Sequence, residues 1–385
     1  MRVDEDNPCR HHTTIRPLLD ADHPQRVRNL DVHFEILNKS NQGPYQDFED
    51  ALHDFKFFTF PLPSLENLSF SVEHELAIYT YLKFPKDLFC WAIQPPAELR
   101  HLSLRGCYGD PIQAVRNLTS FELVGSKGAD AIELTQSSFL PFISGNTSLV
   151  SLTLSRCDFP DPEKSSLVTP VKLLKLKTLR LKDVYGFSAL TSLVQIPALK
   201  TLSSLRLTAQ RHLLSYYEIV YFQVRAESDD GFQLFYDTPA NELTWDWHDL
   251  TRGADTSPAL VRFEGQNPKG NFEMKVSPLP LFVNAKVLEI GVSFTDSWYP
   301  NFWDDVENIG PQLTTLRLEI VEETAPEVAT SVKKFVEARL KKGMPLAKLE
   351  RMEFEGMSED DEEKAKRLWE EFRAGLDVDQ YLVLQ

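Results

Sequence analysis

Apolar residues along the chain recur in the frame L-x-x-L-x-L, with conservative replacements. The frame is clearest at Leu99/Leu102/Leu104 and Leu149/Leu152/Leu154, each followed three residues later by a cysteine, Cys107 or Cys157. Eight more copies follow the same spacing: Val27/Leu30/Val32, Leu65/Leu68/Phe70, Leu118/Phe121/Leu123, Leu176/Leu179/Leu181, Leu202/Leu205/Leu207, Ala285/Leu288/Ile290, Leu313/Leu316/Leu318 and Leu349/Met352/Phe354. In each, the last two apolar side chains stand two apart on one face of a short strand, and the residue between them points to the other face. The first apolar residue closes the preceding turn.

One such strand cannot bury its apolar face alone, whereas stacked neighbours form a continuous core. The pattern therefore predicts an α/β fold, an irregular leucine-rich-repeat solenoid. Parallel strands would line its concave face, with helices and turns on the convex face. The expected organisation is a polar N-terminal segment over 1–24, the solenoid over 25–356 and a helical cap over 357–385. An 83-residue gap between Leu205 and Leu288 interrupts the rhythm. Two strand-like stretches inside it, centred on Phe235 and Arg262, divide it into ordinary lengths, so about 210–284 reads as degenerate repeats.

This stretch is also the most aromatic, with Tyr216, Tyr217, Tyr221, Phe222, Phe232, Phe235, Tyr236, Trp245 and Trp247. Core packing and an exposed recognition patch both account for the rings. Helical periodicity returns over Pro326–Lys342 through Val328, Val332, Phe335, Val336 and Leu340, ending at Lys341-Lys342-Gly343. From Ser358, the expected N-cap, an acid-rich start leads to Leu368, Trp369 and Phe372 and stops at Gly375. This polar helix suits a cap over the last coil.

A net charge of -16 opposes general binding to nucleic acid or anionic membranes, both of which need a positive field. The start of the chain is charged rather than signal-like, and no apolar run is long enough to span a bilayer. The expected location is the cytoplasm or nucleus. Four cysteines lack C-x-x-C spacing, and Cys107 and Cys157 fall at the repeat's own cysteine position. Four N-x-S/T triplets begin at Asn38, Asn67, Asn117 and Asn146, two of them products of the repeat strands.

Catalytic motifs are missing: no G-x-S-x-G elbow, P-loop, G-x-G-x-x-G or H-E-x-x-H is found. His74-Glu75 lacks a second histidine, Cys9/His11/His12 lacks a fourth ligand, and His248 between Asp246 and Asp249 has no nucleophile nearby. No enzyme activity, cofactor or metal is expected. The outward positions carry more. At the middle of the frame they run Asp31, Ser69, Ser103, Glu122, Thr153, Arg180, Arg206, Glu289, Arg317 and Glu353, with Lys182 beside Arg180. Arg180, Lys182, Arg206 and Arg317 are the candidate partner-binding residues. Arg180, Lys182 and Arg206 are expected on adjacent repeats. They serve either as solvated polar faces or as a docking row for an acidic partner segment.

Longer phrases, NTSLVSLTLSRCDFP, TPVKLLKLKTLRLKDV, QIPALKTLSSLRL, VRAESDDGFQLFYDTP and FVEARLKKGMPLAKLERMEF, resemble the expanded fungal F-box/leucine-rich-repeat-like proteins of mushroom-forming species. The resemblance extends from about Pro24 to the C-terminus. It implies a non-enzymatic protein-recognition module, the substrate-recognition part of an F-box-type ubiquitin ligase receptor. In that family an F-box docks on the adaptor of a cullin-RING ligase while the repeats present substrates. The first forty residues here contain no L-P-x-E-[IL] opening, so only the recognition half carries over. A free-standing repeat scaffold is the alternative, and a repeat-based regulatory enzyme such as a GTPase activator is a third reading.

Overall fold

The structure, a computed structural model, describes residues 26–36, 62–74, 82–83, 96–126, 131–160, 169–185, 190, 193–214, 217–239, 244–245, 261–264, 273–276, 285–290, 311–318, 325–352 and 359–376. The chain is mixed α/β, with mostly parallel strands and few helices, and divides into two compact units, Met1–Val194 and Gln195–Gln385. Among the described residues no helix is long and apolar enough to cross a membrane.

The first unit contains a ladder of six strands, β1 (Asn29–Ile36), β2 (Asn67–His74), β3 (His101–Arg105), β4 (Ser120–Val124), β5 (Ser151–Asp158) and β6 (Thr178–Tyr185). Each is parallel to the one before it. The shortest connection, residues 106–119, still exceeds the dozen or so residues that a parallel crossover requires. Strand register places Leu68, Leu102, Phe121, Leu152 and Leu179 in one row and Val32, Phe70, Leu104, Leu123, Leu154 and Leu181 in the next. All eleven are buried, each worth about 1.5–3 kcal/mol of transfer free energy.

The leading apolar residue of the frame also acts as expected. Leu65, Leu99, Leu118 and Leu149 are fully buried, and turns bonded Leu65 N to Leu62 O, Leu99 N to Pro96 O and Leu149 N to Asn146 O precede three of the strands. Next to each strand start, one carbonyl accepts from two consecutive amides of the following segment. Arg28 O takes Glu66 and Asn67, Glu66 O takes Arg100 and His101, Arg100 O takes Thr119 and Ser120, Thr119 O takes Val150 and Ser151, and Val150 O takes Lys177 and Thr178.

Just past the second buried row, backbone and cysteine chemistry combine. Gly106, Arg156 and Asp183 have φ of 69°, 53° and 52°, each two residues past the second apolar position. A Cβ on Gly106 would lie 2.3 Å from Val72 O, which only glycine avoids. The thiols that follow are buried and weakly bonded to carbonyls two residues back, Cys107 Sγ to Arg105 O at 3.3 Å and Cys157 Sγ to Ser155 O at 3.5 Å. Burial pushes both thiols far above the ordinary cysteine range. Between β4 and β5, helix α1 (Gln136–Ser144) packs on the buried side of the sheet through Phe142 against Phe121, ring centroids 4.5 Å apart, and Phe139 against Phe159 at 5.2 Å. Asn146 just beyond it is fully buried, accepting from Leu118 N and donating to Val115 O and Phe142 O. Of the four glycosylation triplets, that at Asn146 is thus inaccessible in the folded chain.

The second unit has the order β9-β8-β7-β10-β11-β12, formed by β7 (Leu202–Leu214), β8 (Tyr217–Ser228), β9 (Gln233–Pro239), β10 (Val287–Ile290), β11 (Thr315–Leu318) and β12 (Lys348–Arg351). β7, β10, β11 and β12 are parallel, whereas β8 is antiparallel to both β7 and β9. The expected degenerate repeat at Phe235 is therefore replaced by an antiparallel meander. Connection length decides this: residues 215–216 and 229–232 are far too short for parallel crossovers and allow only hairpins. Gly231 supplies a left-handed φ of 78° in the second hairpin. The strand around Arg262, Val261–Glu264, pairs antiparallel with Thr244–Trp245 and Glu273–Val276. In the aromatic stretch Phe232 and Tyr236 are buried in the core and Phe235 is partly exposed. The side chains of the other six rings lie outside the described residues.

The last frame shifts by three residues. Leu316 pairs with Leu349 and Leu318 with Arg351, so the copy reads Leu346/Leu349/Arg351 rather than Leu349/Met352/Phe354. Fully buried Leu346 takes the turn-closing position, and Ala347 N and Lys348 N both bond Thr314 O. Helix α2 (Ala325–Lys341) ends in the predicted glycine cap: Gly343, φ 73°, donates to Leu340 O and Met344 to Arg339 O. Its buried face holds Val332, Phe335, Val336 and Arg339, while Leu340 is exposed. Arg339 takes the fourth place by donating to Leu313 O at 3.0 Å. Helix α3 (Glu359–Leu376) continues one residue past Gly375, with Trp369 stacked on Phe372 at 5.3 Å.

Candidate functional site

Alternation along each strand turns every second side chain towards solvent, so register assembles rows on the outer sheet face as it does in the core. In the first unit the central row runs Asp31, Ser69, Ser103, Glu122, Thr153, Arg180 without a slip. Two flanking rows accompany it, of which the sequence reading singled out only Lys182. One holds Asn29, Asn67, His101, Ser120, Ser151 and Thr178, the other His33, Ser71, Arg105, Val124, Ser155 and Lys182. The signal for both was the same period of two, counted outward from each frame.

The face is rich in hydroxyls. Around β1–β4 it forms an open depression of about 370 Å³ lined by side chains that include Asn29, Asp31, Asn67, Ser69, His101, Ser103, Ser120 and Glu122. Hydrogen bonds tie its lining together, Asn67 donating to Asn29 Oδ1 and Ser103 Oγ to Glu122 Oε2 at 2.7 Å, and beside it His33 Nδ1 lies 2.7 Å from Ser71 Oγ. Glu122 also bonds Arg105 at 2.9 Å, so charge in the middle of the face is balanced. Asp31 at one end and Arg180 with Lys182 at the other are exposed.

The second unit's row has another character. Phe235, Arg225, Arg206, Glu289, Arg317 and Glu350 stand in register across β9, β8, β7, β10, β11 and β12. Glu350 takes the place expected of Glu353, a consequence of the shifted last frame. Arg206 Nε donates to Glu289 Oε2, Arg317 donates to Glu289 Oε1 at 2.7 Å and to Glu350 Oε2 at 2.8 Å, and Arg225 pairs with Asp237. Burial raises the Glu289 carboxyl, but the bonds and charges of Arg206 and Arg317 outweigh it and hold the group below the ordinary glutamate range. The carboxylate bonds from Glu350 and Glu289 raise the Arg317 guanidinium further.

The structure thus separates the four singled-out cations. Arg180 and Lys182 occupy one strand, β6. Arg206 does not lie on an adjacent repeat as expected, because both edges of β7 are taken, by β8 and β10. Arg206 and Arg317 meet instead through a shared carboxylate. Among the described residues no cluster of His, Cys, Asp or Glu is placed to hold a metal ion. Cys9, His11, His12, Glu75, Asp246, His248 and Asp249 lie outside the described residues, as does the side chain of His74.

Comparison of the chain with protein-family models, with curated proteins and with solved structures finds no match.

Proposed function

We propose that this chain is a leucine-rich-repeat recognition module that binds protein and performs no chemistry of its own. The observation that carries the reading is the first unit's register: six successive strands keep the same two apolar positions in step, both buried on β2 to β6 and the second buried on β1, and turn the same polar positions outward. Stacked segments with one buried face and one displayed face suit a solenoid whose concave surface binds a partner. The repeated carbonyl that accepts two amides of the next segment supports the same reading. The link to ubiquitin ligation rests on the resemblance to F-box/leucine-rich-repeat-like proteins, and makes the chain the substrate-recognition half of such a receptor.

Affinity purification of the tagged chain from its native cell, with mass spectrometry, tests both parts. Specific proteins recovered with a cullin and its adaptor support the receptor. Specific proteins without them support a stand-alone scaffold. The face itself is tested by Ser69→Trp with Thr153→Trp, two outward positions whose bulk obstructs the surface. Partners that are lost without a change in thermal unfolding support recognition by this face, and partners that are all retained overturn it.

A further inference from the structure

The outer face of the first unit is not merely polar; its charge is ordered along the ladder. Exposed Asp31 stands on β1, the Glu122–Arg105 pair is neutral in the middle, and exposed Arg180 and Lys182 stand on β6. Between the ends the surface presents serine and threonine hydroxyls, which donate or accept and so discriminate little among polar or backbone groups.

We infer that the first unit's outer face docks an extended polypeptide segment of opposed charge blocks, acidic where it meets β6 and basic where it meets β1. This rests on the protein-recognition reading above and adds to it a polarity and a length. Five strand spacings of about 4.8 Å separate Asp31 from Arg180, about 24 Å in all, which about seven extended residues span. A uniformly acidic segment would meet Asp31 unfavourably and a uniformly basic one would meet Arg180 and Lys182 so. Charge complementarity therefore selects a segment whose charges are segregated.

The test is fluorescence anisotropy of the full chain with labelled synthetic peptides of one composition. Block peptides carry three glutamates at one end and three lysines at the other, joined by about six glycines, serines and threonines. Both block orders are made, and a control peptide interleaves the same charges. At least one block order should bind about tenfold more tightly than the interleaved control, and the difference should shrink as salt is raised. Lys182→Glu should remove most of that preference. The combined swap Asp31→Lys, Arg180→Glu and Lys182→Glu, with folding verified by circular dichroism, should favour the block order that wild type disfavours. Equal binding of block and interleaved peptides by wild type overturns the inference. So does a cellular partner whose binding survives the combined swap, an outcome that leaves the recognition reading intact.

Discussion

The two units bury the same apolar frame and yet differ in topology and in what they display. The first repeats long connections between parallel strands, and its outer face is hydroxyl-rich, with one Glu122–Arg105 ion pair in the middle and exposed Asp31, Arg180 and Lys182 towards its ends. The second inserts two hairpins between parallel strands, and in its outer row Arg206, Glu289, Arg317 and Glu350 alternate in sign and bond one another. The difference teaches that connection length sets strand direction and that register sets charge pairing. Neither depends on the apolar frame that both units share.

Substitution at the left-handed glycines offers the strongest way to break the comparison. Gly106→Ala should destabilise the first unit by about 3 kcal/mol or more, since the new Cβ combines a strained φ with an approach of 2.3 Å to backbone Val72 O. Urea unfolding measures this, and a loss below about 1 kcal/mol would mean the segments are not packed so closely. The charge row comes next. Glu289→Gln should cost about 2 kcal/mol, because two arginines lose a nearly buried carboxylate.

Its pH dependence has a definite sign. Glu289 titrates lower in the folded chain than in the unfolded one. Its contribution is therefore complete above the ordinary glutamate range and disappears as pH falls through the lowered folded value. Urea melts at neutral pH and in acid should converge for wild type and Glu289→Gln on the acid side. A gap that persists in acid would show that the row acts through packing rather than charge.

Gly231→Ala sharpens the contrast with Gly106. Its φ of 78° is equally left-handed, but no atom lies within 4 Å of the new Cβ. A cost of about 1 kcal/mol is expected, from backbone strain alone. The smallest effect belongs to Lys182→Glu. This exposed side chain should alter stability by less than about 0.5 kcal/mol while changing the sign of charge at the β6 end of the face. A larger loss in thermal unfolding would place Lys182 in the structural frame.

Much of the first unit was legible because a period of two and a fixed spacing are properties of sequence neighbours. Leu68, Leu102, Phe121, Leu152 and Leu179 fall in one register row as their spacing required, and so do Ser69, Ser103, Glu122 and Thr153. The meander was less visible, although the four-residue connection around Asp230-Gly231 is a hairpin signal that outweighs the resemblance of Phe235 to a repeat centre. The last frame misled for another reason. Leu349, Met352 and Phe354 satisfy the apolar spacing in full, whereas strand pairing selects Leu346/Leu349/Arg351, a frame with a charged third position that apolar spacing alone does not reveal.

By itself, then, the sequence determined the alternation of buried and outward positions along the first unit's strands, because alternation is local geometry. It also determined the first unit's turn-closing leucines, the cysteine position and the two C-terminal helices. Tertiary structure alone decided which outward charges meet. Arg206, Glu289, Arg317 and Glu350 are far apart along the chain, and only strand pairing brings them within hydrogen-bond reach. Asp31 and Lys182 become opposite ends of one polar face for the same reason, since a row across a sheet exists only once its strands are in register.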